Sequence, residues 1–170
     1  MSMTRAEIIL KWSAYGVALT LAALVQFYLM GPILRTIIPL LIPMAVVALA
    51  VLEGAPAGAA FGMAAGAVQY ALTHTTPLWV MALALGGWLV GLLAQYVLRR
   101  DFVGFVISAL LTLVGLEALQ VAPRLIAGVA GAAPLLLVAG REAFWTAALA
   151  APVYWLFHLC CRRYGRIQYE

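Results

Sequence analysis

The chain has 170 residues, 66% of them hydrophobic and 9% charged, with a mean hydropathy of +1.08. A soluble domain carries roughly 25% charged residues. Ten Lys/Arg and six Asp/Glu cannot cover a water-facing surface of this size, so lipid is the solvent for most of the chain.

A helical span needs about 20 mostly apolar residues. Charges and Gly/Pro breaks divide the sequence into six predicted spans. The first covers 12–30 and is closed by Gly31-Pro32; it stays as an anchor, because no small-residue cleavage pattern follows it. The second, 37–52, is short and contains Pro39 and Pro43, which predicts a tilt or a kink. Glu53-Gly54 separates it from the third, 56–72, and Glu53 is placed to cap the start of that helix. The fourth, 78–98, stops at Arg99-Arg100-Asp101. The fifth covers 102–121 and the sixth 143–161, which stops at Arg162-Arg163. Between these last two, 125–140 is apolar, bracketed by Arg124 and Arg141 and interrupted by Pro134. It reads as an extra re-entrant or interfacial segment, or as a seventh span.

With six spans and both termini cytoplasmic, the inner side holds Arg5, Lys11, Arg99, Arg100, Arg162, Arg163 and Arg166. The outer side holds Arg35, Arg124 and Arg141, so the arrangement follows the positive-inside rule. A seventh span would put the last arginine cluster outside. This distribution also accounts for the net charge of +4 without nucleic acid as a partner.

The groups that chemistry requires are scarce. Lys11 is the one lysine and Asp101 the one aspartate, which excludes a Walker A loop and metal sites built on several aspartates. None of Ser2, Ser13 and Ser108 sits in Gly-x-Ser-x-Gly, and Cys160-Cys161 has the wrong spacing for a zinc knuckle or a redox pair. The sequence therefore predicts a non-enzymatic protein without cofactor or metal.

What stands out is glycine. Gly54, Gly58, Gly62 and Gly66 recur every four residues, a spacing that keeps them on one face of a helix and lets another helix approach closely. That face serves either packing within this chain's own bundle or a partner's helix. Gln69, one turn on, is placed to hydrogen-bond across the same contact. Ala50 would extend the series backward if the helix allows it. Gly86, Gly87 and Gly91 mark the fourth span, and Ala14, Ala18 and Ala22 the first. Glu117 is the one acid deep in a predicted span; an ionisable group there costs several kcal/mol on insertion scales and usually pairs. Arg124, two helical turns on, is its predicted partner if the helix continues past Pro123.

The order of these motifs resembles the rod shape-determining protein MreD family. The residues that carry it are Leu52-Glu53-Gly54-Ala55-Pro56 through Gly58, Gly62 and Gly66, then Gly86-Gly87-Trp88-Leu89-Val90-Gly91. Tyr96 to Phe102, Pro152-Val153-Tyr154 and the tail Arg162-Arg163-Tyr164-Gly165-Arg166 complete the series. The likeness covers about 35–166, with Gln69-Tyr70 where the family often has an acid. It implies an all-α six-helix bundle similar to the substrate-binding subunits of energy-coupling-factor transporters. It also implies a scaffold role in the cell-elongation machinery of the bacterial cytoplasmic membrane. The implied partner is MreC, a single-span protein with a coiled coil and an extracytoplasmic β domain, and through it MreB and the RodA–penicillin-binding protein synthase. Arg99, Arg100, Arg162, Arg163 and Arg166 would meet anionic lipid or the MreB layer. A transporter's substrate-binding subunit is the alternative for the same bundle.

Overall fold

The computed structural model describes residues 5–30, 40–73, 77–96, 102–126, 128 and 132–164; within these, the side chains at 7, 30, 123, 124, 132–136, 139, 163 and 164 lie outside the description. The described residues form helices joined by short connections, with no strand. They are α1 (Arg5–Leu24), continued by a π-helical turn (Val25–Met30), then α2 (Leu41–Glu53), α3 (Ala55–Thr73), α4 (Leu78–Tyr96), α5 (Phe102–Ile126) and α6 (Ala132–Tyr164).

Four stretches are long and apolar enough to cross a membrane: Ile8–Leu29, Leu78–Tyr96, Phe102–Ala122 and Gly140–Arg162. The chain is thus an all-α protein with the helices of a membrane-embedded one. α3 is 19 residues long, but its alanines and glycines leave it less apolar than those four. α2 has 13 residues and so reaches about 20 Å, short of the roughly 30 Å hydrocarbon layer.

That short helix is the axis of the molecule. Every residue from Leu41 to Leu52 is buried, and α2 packs against all five other helices. Its sequence explains this: a helix apolar on every side has no face to offer to water and none to distinguish core from lipid. The predicted kink is absent at Pro43, which falls in the first turn, where a missing N–H leaves no bond unmade. Pro39 lies outside the described residues.

Burying the start of α2 creates a demand, since the first N–H groups of a helix have no partner within it. Two distant side chains meet it. Gln26, on the π-helical turn and 1% exposed, accepts the Ile42 N–H at 3.0 Å. Thr146 Oγ1, on α6 and fully buried, accepts the Leu40 N–H at 3.0 Å and donates to the Glu142 carbonyl at 2.6 Å. Replacing Gln26 by leucine or Thr146 by valine leaves a buried donor unpaired. Each is expected to lower stability by about 1–2 kcal/mol. Thermal unfolding in detergent checks this, with Thr20→Val as the control: Thr20 is exposed and bonds only to the carbonyl one turn back, so it should leave the midpoint in place.

The helices alternate in direction. α2 begins beside Gln26 and ends beside Lys11, so it runs antiparallel to α1. α3 and α4 pair in antiparallel register, with Gly58 on Gly87, Gly62 on Leu83 and Gly66 on Val80. α5 and α6 do the same, Phe105 lying on Tyr154 at 4.9 Å between ring centroids. Tyr15 of α1 reaches Cys161 near the end of α6, so the first and last helices begin and end at the same end of the bundle.

The apolar segment 125–140 is not a separate element, which corrects the prediction of a re-entrant or interfacial piece or a seventh span. α5 runs on through Pro123 to Ile126, Gly128 turns with φ +64°, and α6 starts at Ala132 and continues unbroken for 33 residues. Residues 127 and 129–131 lie outside the described residues.

Candidate helix-docking site

The glycine series divides in two. Gly54 is the joint between α2 and α3, with φ +97° and ψ −175°, a conformation essentially confined to glycine, and it too lies against α4: a methyl group built on Gly91 would fall 2.7 Å from its carbonyl carbon. Its N–H bonds the Ala50 carbonyl at 2.9 Å and its carbonyl receives the Gly58 N–H at 3.0 Å, closing one helix and opening the next. Ala50 therefore belongs to α2 and does not extend the ridge along α3.

Gly58, Gly62 and Gly66 are buried against the backbone of α4. A methyl group built on Gly58 would lie 2.5 Å from the Gly87 carbonyl oxygen and 2.6 Å from Ala50 Cβ, and one built on Gly66 would lie 2.6 Å from Val80 Cα. Gly87 and Gly91 reciprocate, meeting Gly58 and Ala55. Because this face is filled by the chain's own fourth helix, the alternative in which the ridge receives a partner's helix is corrected: a partner needs another surface. Gln69 is buried at the far end of the seam. Its carbonyl accepts the Thr73 hydroxyl at 2.7 Å, and its side-chain oxygen has no partner among the described residues.

Glu53 does not cap α3. It is the last residue of α2, and its carboxylate pairs with Lys11 Nζ at 2.6 Å and accepts the Tyr15 hydroxyl. Tyr15 has one proton and gives it to Glu53, so the Cys161 thiol, 3.3 Å away, is the donor in the contact with the Tyr15 oxygen. This cluster ties α1, α2 and α6 together at one end of the bundle, below a chain of edge-to-face rings formed by Tyr15, Phe61 and Phe157. The sequence carried no local sign of it, because Lys11 and Glu53 are 42 positions apart.

Glu117, half-buried on α5, is within hydrogen-bonding reach of Glu142 on α6. The predicted pair with Arg124 falls on a side chain outside the described residues, although α5 does continue past Pro123. Arg162 is exposed at the end of α6. Arg99, Arg100 and Arg166, and the side chain of Arg163, lie outside the described residues. His158 stacks on Tyr154 at 5.8 Å between ring centroids.

Besides a groove of about 360 Å³ between α1 and α6, lined by Ala14, Ala18 and Leu156, the bundle has one of about 320 Å³ between α4 and α5, floored by Pro43, Val46 and Val47 of α2. Its walls are apolar, and the Thr112 hydroxyl on its rim bonds the Ser108 carbonyl at 2.8 Å. Comparison of the chain with protein-family models, with curated proteins and with solved structures finds no match.

Proposed function

We propose that the chain is a non-enzymatic membrane scaffold of the MreD kind, which binds the transmembrane helix of MreC and thereby supports cell-wall synthesis and cell shape. In this reading the six helices are the six predicted spans of a bundle in the bacterial cytoplasmic membrane, the short α2 enclosed at its axis by the other five, with both termini and most of the arginines on the cytoplasmic side. The fold is then similar to the substrate-binding subunits of energy-coupling-factor transporters. The observation that carries the reading is the pairing of the two glycine motifs. The motifs on which the resemblance rests, Gly58–Gly62–Gly66 and Gly87–Gly91, form one backbone-to-backbone seam between α3 and α4. Such a seam makes a rigid support for helix-on-helix recognition. The polar groups of the interior fit a support as well. Lys11, Glu53, Tyr15, Gln26 and Thr146 are engaged in bonds that hold helices together.

The test is co-purification. Full-length chain and MreC of the same cell, co-expressed and extracted in mild detergent, are expected to elute as one complex. A chain that elutes folded and free of MreC overturns the reading. Stabilisation of the chain by a vitamin in a thermal-shift panel would reassign it to the transporter class.

A further inference from the structure

α5 and α6 lie antiparallel along one seam. Phe105 is on Tyr154, and one turn on Ala109 and Ala150 line a single small cavity between the two helices. Equal steps along both helices then bring Leu113 level with Thr146, both buried, and Glu117 level with Glu142. The two carboxyl groups are within hydrogen-bonding reach of each other, and Glu117 Oε1 is buried with no partner among the described residues.

A carboxylate only accepts hydrogen bonds, so a bond between two carboxyl groups requires a proton on one of them. Without that proton, two like charges face each other on an apolar seam. The helices packed against α5 and α6 are α1, α2 and α4. At this level α2 and α4 carry no ionisable group, since Glu53 and Tyr96 lie at their opposite ends. α1 brings the exposed Tyr28 of its π-helical turn to this end, and its groups from Arg5 to Tyr15 are at the other. On the pair's own helices, Arg141 is exposed beside Glu142 and Gln120 follows Glu117 by about one turn, while the side chain of Arg124 lies outside the description.

Glu142 lies about 30 Å along α6 from Arg162, the thickness of the hydrocarbon layer. The pair therefore sits at the boundary opposite the basic end, within reach of water on that side. It is also one turn from the anchor of α2: the Glu142 carbonyl accepts the Thr146 hydroxyl, whose oxygen accepts the Leu40 N–H. From this placement we infer that Glu117 and Glu142 hold one proton between them as a pH-sensitive clasp, which closes α5 on α6 beside the start of α2 and opens when the proton leaves to water. The inference needs the fold alone and stands whether or not the chain binds MreC.

The folded chain then binds one proton more than the unfolded chain, whose carboxyl groups ionise at about pH 4, so stability falls as pH rises above that range. Thermal unfolding of the full chain in detergent is expected to show a midpoint about 5 °C lower in mildly alkaline than in mildly acidic buffer. Glu117→Gln and Glu142→Gln should each remain folded and lose this dependence, because the amide donates to the remaining carboxylate and has no proton to release. Arg141→Gln should keep it. Infrared spectra at neutral pH read the proton directly: the C=O stretch of a protonated carboxyl group is expected in the wild type and absent from both glutamine variants. A wild type without that band, or a band and a pH dependence that survive both replacements, overturns the inference. So does loss of the dependence in Arg141→Gln. Stabilisation by sodium or calcium chloride beyond that given by choline chloride at equal ionic strength, with no such band, assigns the pair to a metal cation and overturns it as well.

The opening is read separately. Leu113, 1% exposed, lies one turn from Glu117 on the seam. With Cys160 and Cys161 replaced by serine, Leu113→Cys carries the one thiol of the chain. In alkaline buffer a maleimide is expected to label it about tenfold faster with Glu117 present than in the Glu117→Gln background, the ratio that corresponds to about 1.4 kcal/mol between closed and open seams. Comparing the two backgrounds at one pH cancels the change in thiol reactivity. Equal labelling rates would show that the seam stays shut when the proton leaves, and would overturn the clasp.

Discussion

Gly58→Leu is expected to abolish the folded bundle, and Gly58→Ala to cost about 3 kcal/mol, at or beyond the upper end of ordinary overpacking. The reason is what the added carbon meets. It would lie 2.5 Å from a backbone carbonyl oxygen on α4 and 2.6 Å from Ala50 Cβ on α2, whereas carbon–oxygen contacts of this kind sit at about 3.3–3.6 Å. Neither neighbour is the free end of a flexible side chain. Relief requires α3 to move away from both helices, and because Gly62 and Gly66 lie on the same antiparallel seam, the displacement opens its full length. In lipid this loss is not recovered by burying apolar surface elsewhere, because helices associate there through close packing rather than through release of water. Size-exclusion profiles of the detergent-extracted variant, followed by fluorescence, give the readout. A monodisperse Gly58→Leu protein with the wild-type unfolding midpoint would overturn the account of the seam. Gly16→Ala, with open space around it, should behave as wild type.

How much of this was legible in the sequence follows from what each signal encodes. Apolar runs ended by charges encode helices, and among the described residues each of the six predicted spans falls on a helix. They do not encode depth. The stretch around Leu41–Glu53 is apolar on every side, and in a membrane such a helix reads the same whether lipid or protein surrounds it. Its position at the axis is fixed by Gln26 and Thr146, whose bonds to Ile42 and Leu40 span 16 and 106 positions of sequence and leave no local pattern. Glycine every fourth residue encodes close approach but not the identity of the neighbour, so the choice between the chain's own helix and a foreign one is made by the tertiary fold, which sets α4 against Gly58, Gly62 and Gly66. Gly54 carries a second role that its spacing does not encode: it lies against α4 as the series predicts, and with Ala55-Pro56 opening the next helix it is also the joint between α2 and α3.

The two polar anchors of α2 divide the labour between its ends. At the start, uncharged groups satisfy backbone donors. At the other end a charged pair fixes the junction where Gly54 turns the chain into α3, so the geometry of the seam and of the groove beyond it depends on how α2 is held. The groove floor is made of Pro43, Val46 and Val47, all on this helix. A shift of α2 along its axis would therefore change the shape of the groove as well as the core.

Lys11→Met is expected to be the more harmful of the two ways to break the Lys11–Glu53 pair, costing about 3 kcal/mol, while Glu53→Gln costs about 1–2 kcal/mol. The two side chains are 17% and 12% exposed, so neither is solvated in place. Removing the lysine leaves a short carboxylate held at the end of a buried helix, with the Tyr15 hydroxyl as its remaining partner, and it has no stem with which to reach the interface. Removing the acid charge leaves a lysine on a long flexible stem near the start of α1. It can extend toward the headgroups, and the glutamine oxygen still accepts the Tyr15 proton. The asymmetry identifies the pair as buried, since an exposed pair would lose under about 1 kcal/mol from either side. Combining Lys11→Met with Glu53→Gln removes both charges and keeps the tyrosine bond. The double variant should therefore lie within about 1 kcal/mol of wild type, with the coupling read from the double-mutant cycle. Additive losses in that cycle, measured by reversible unfolding in detergent, would show that Lys11 and Glu53 act separately and that the ion pair is not what fixes α2 to α1.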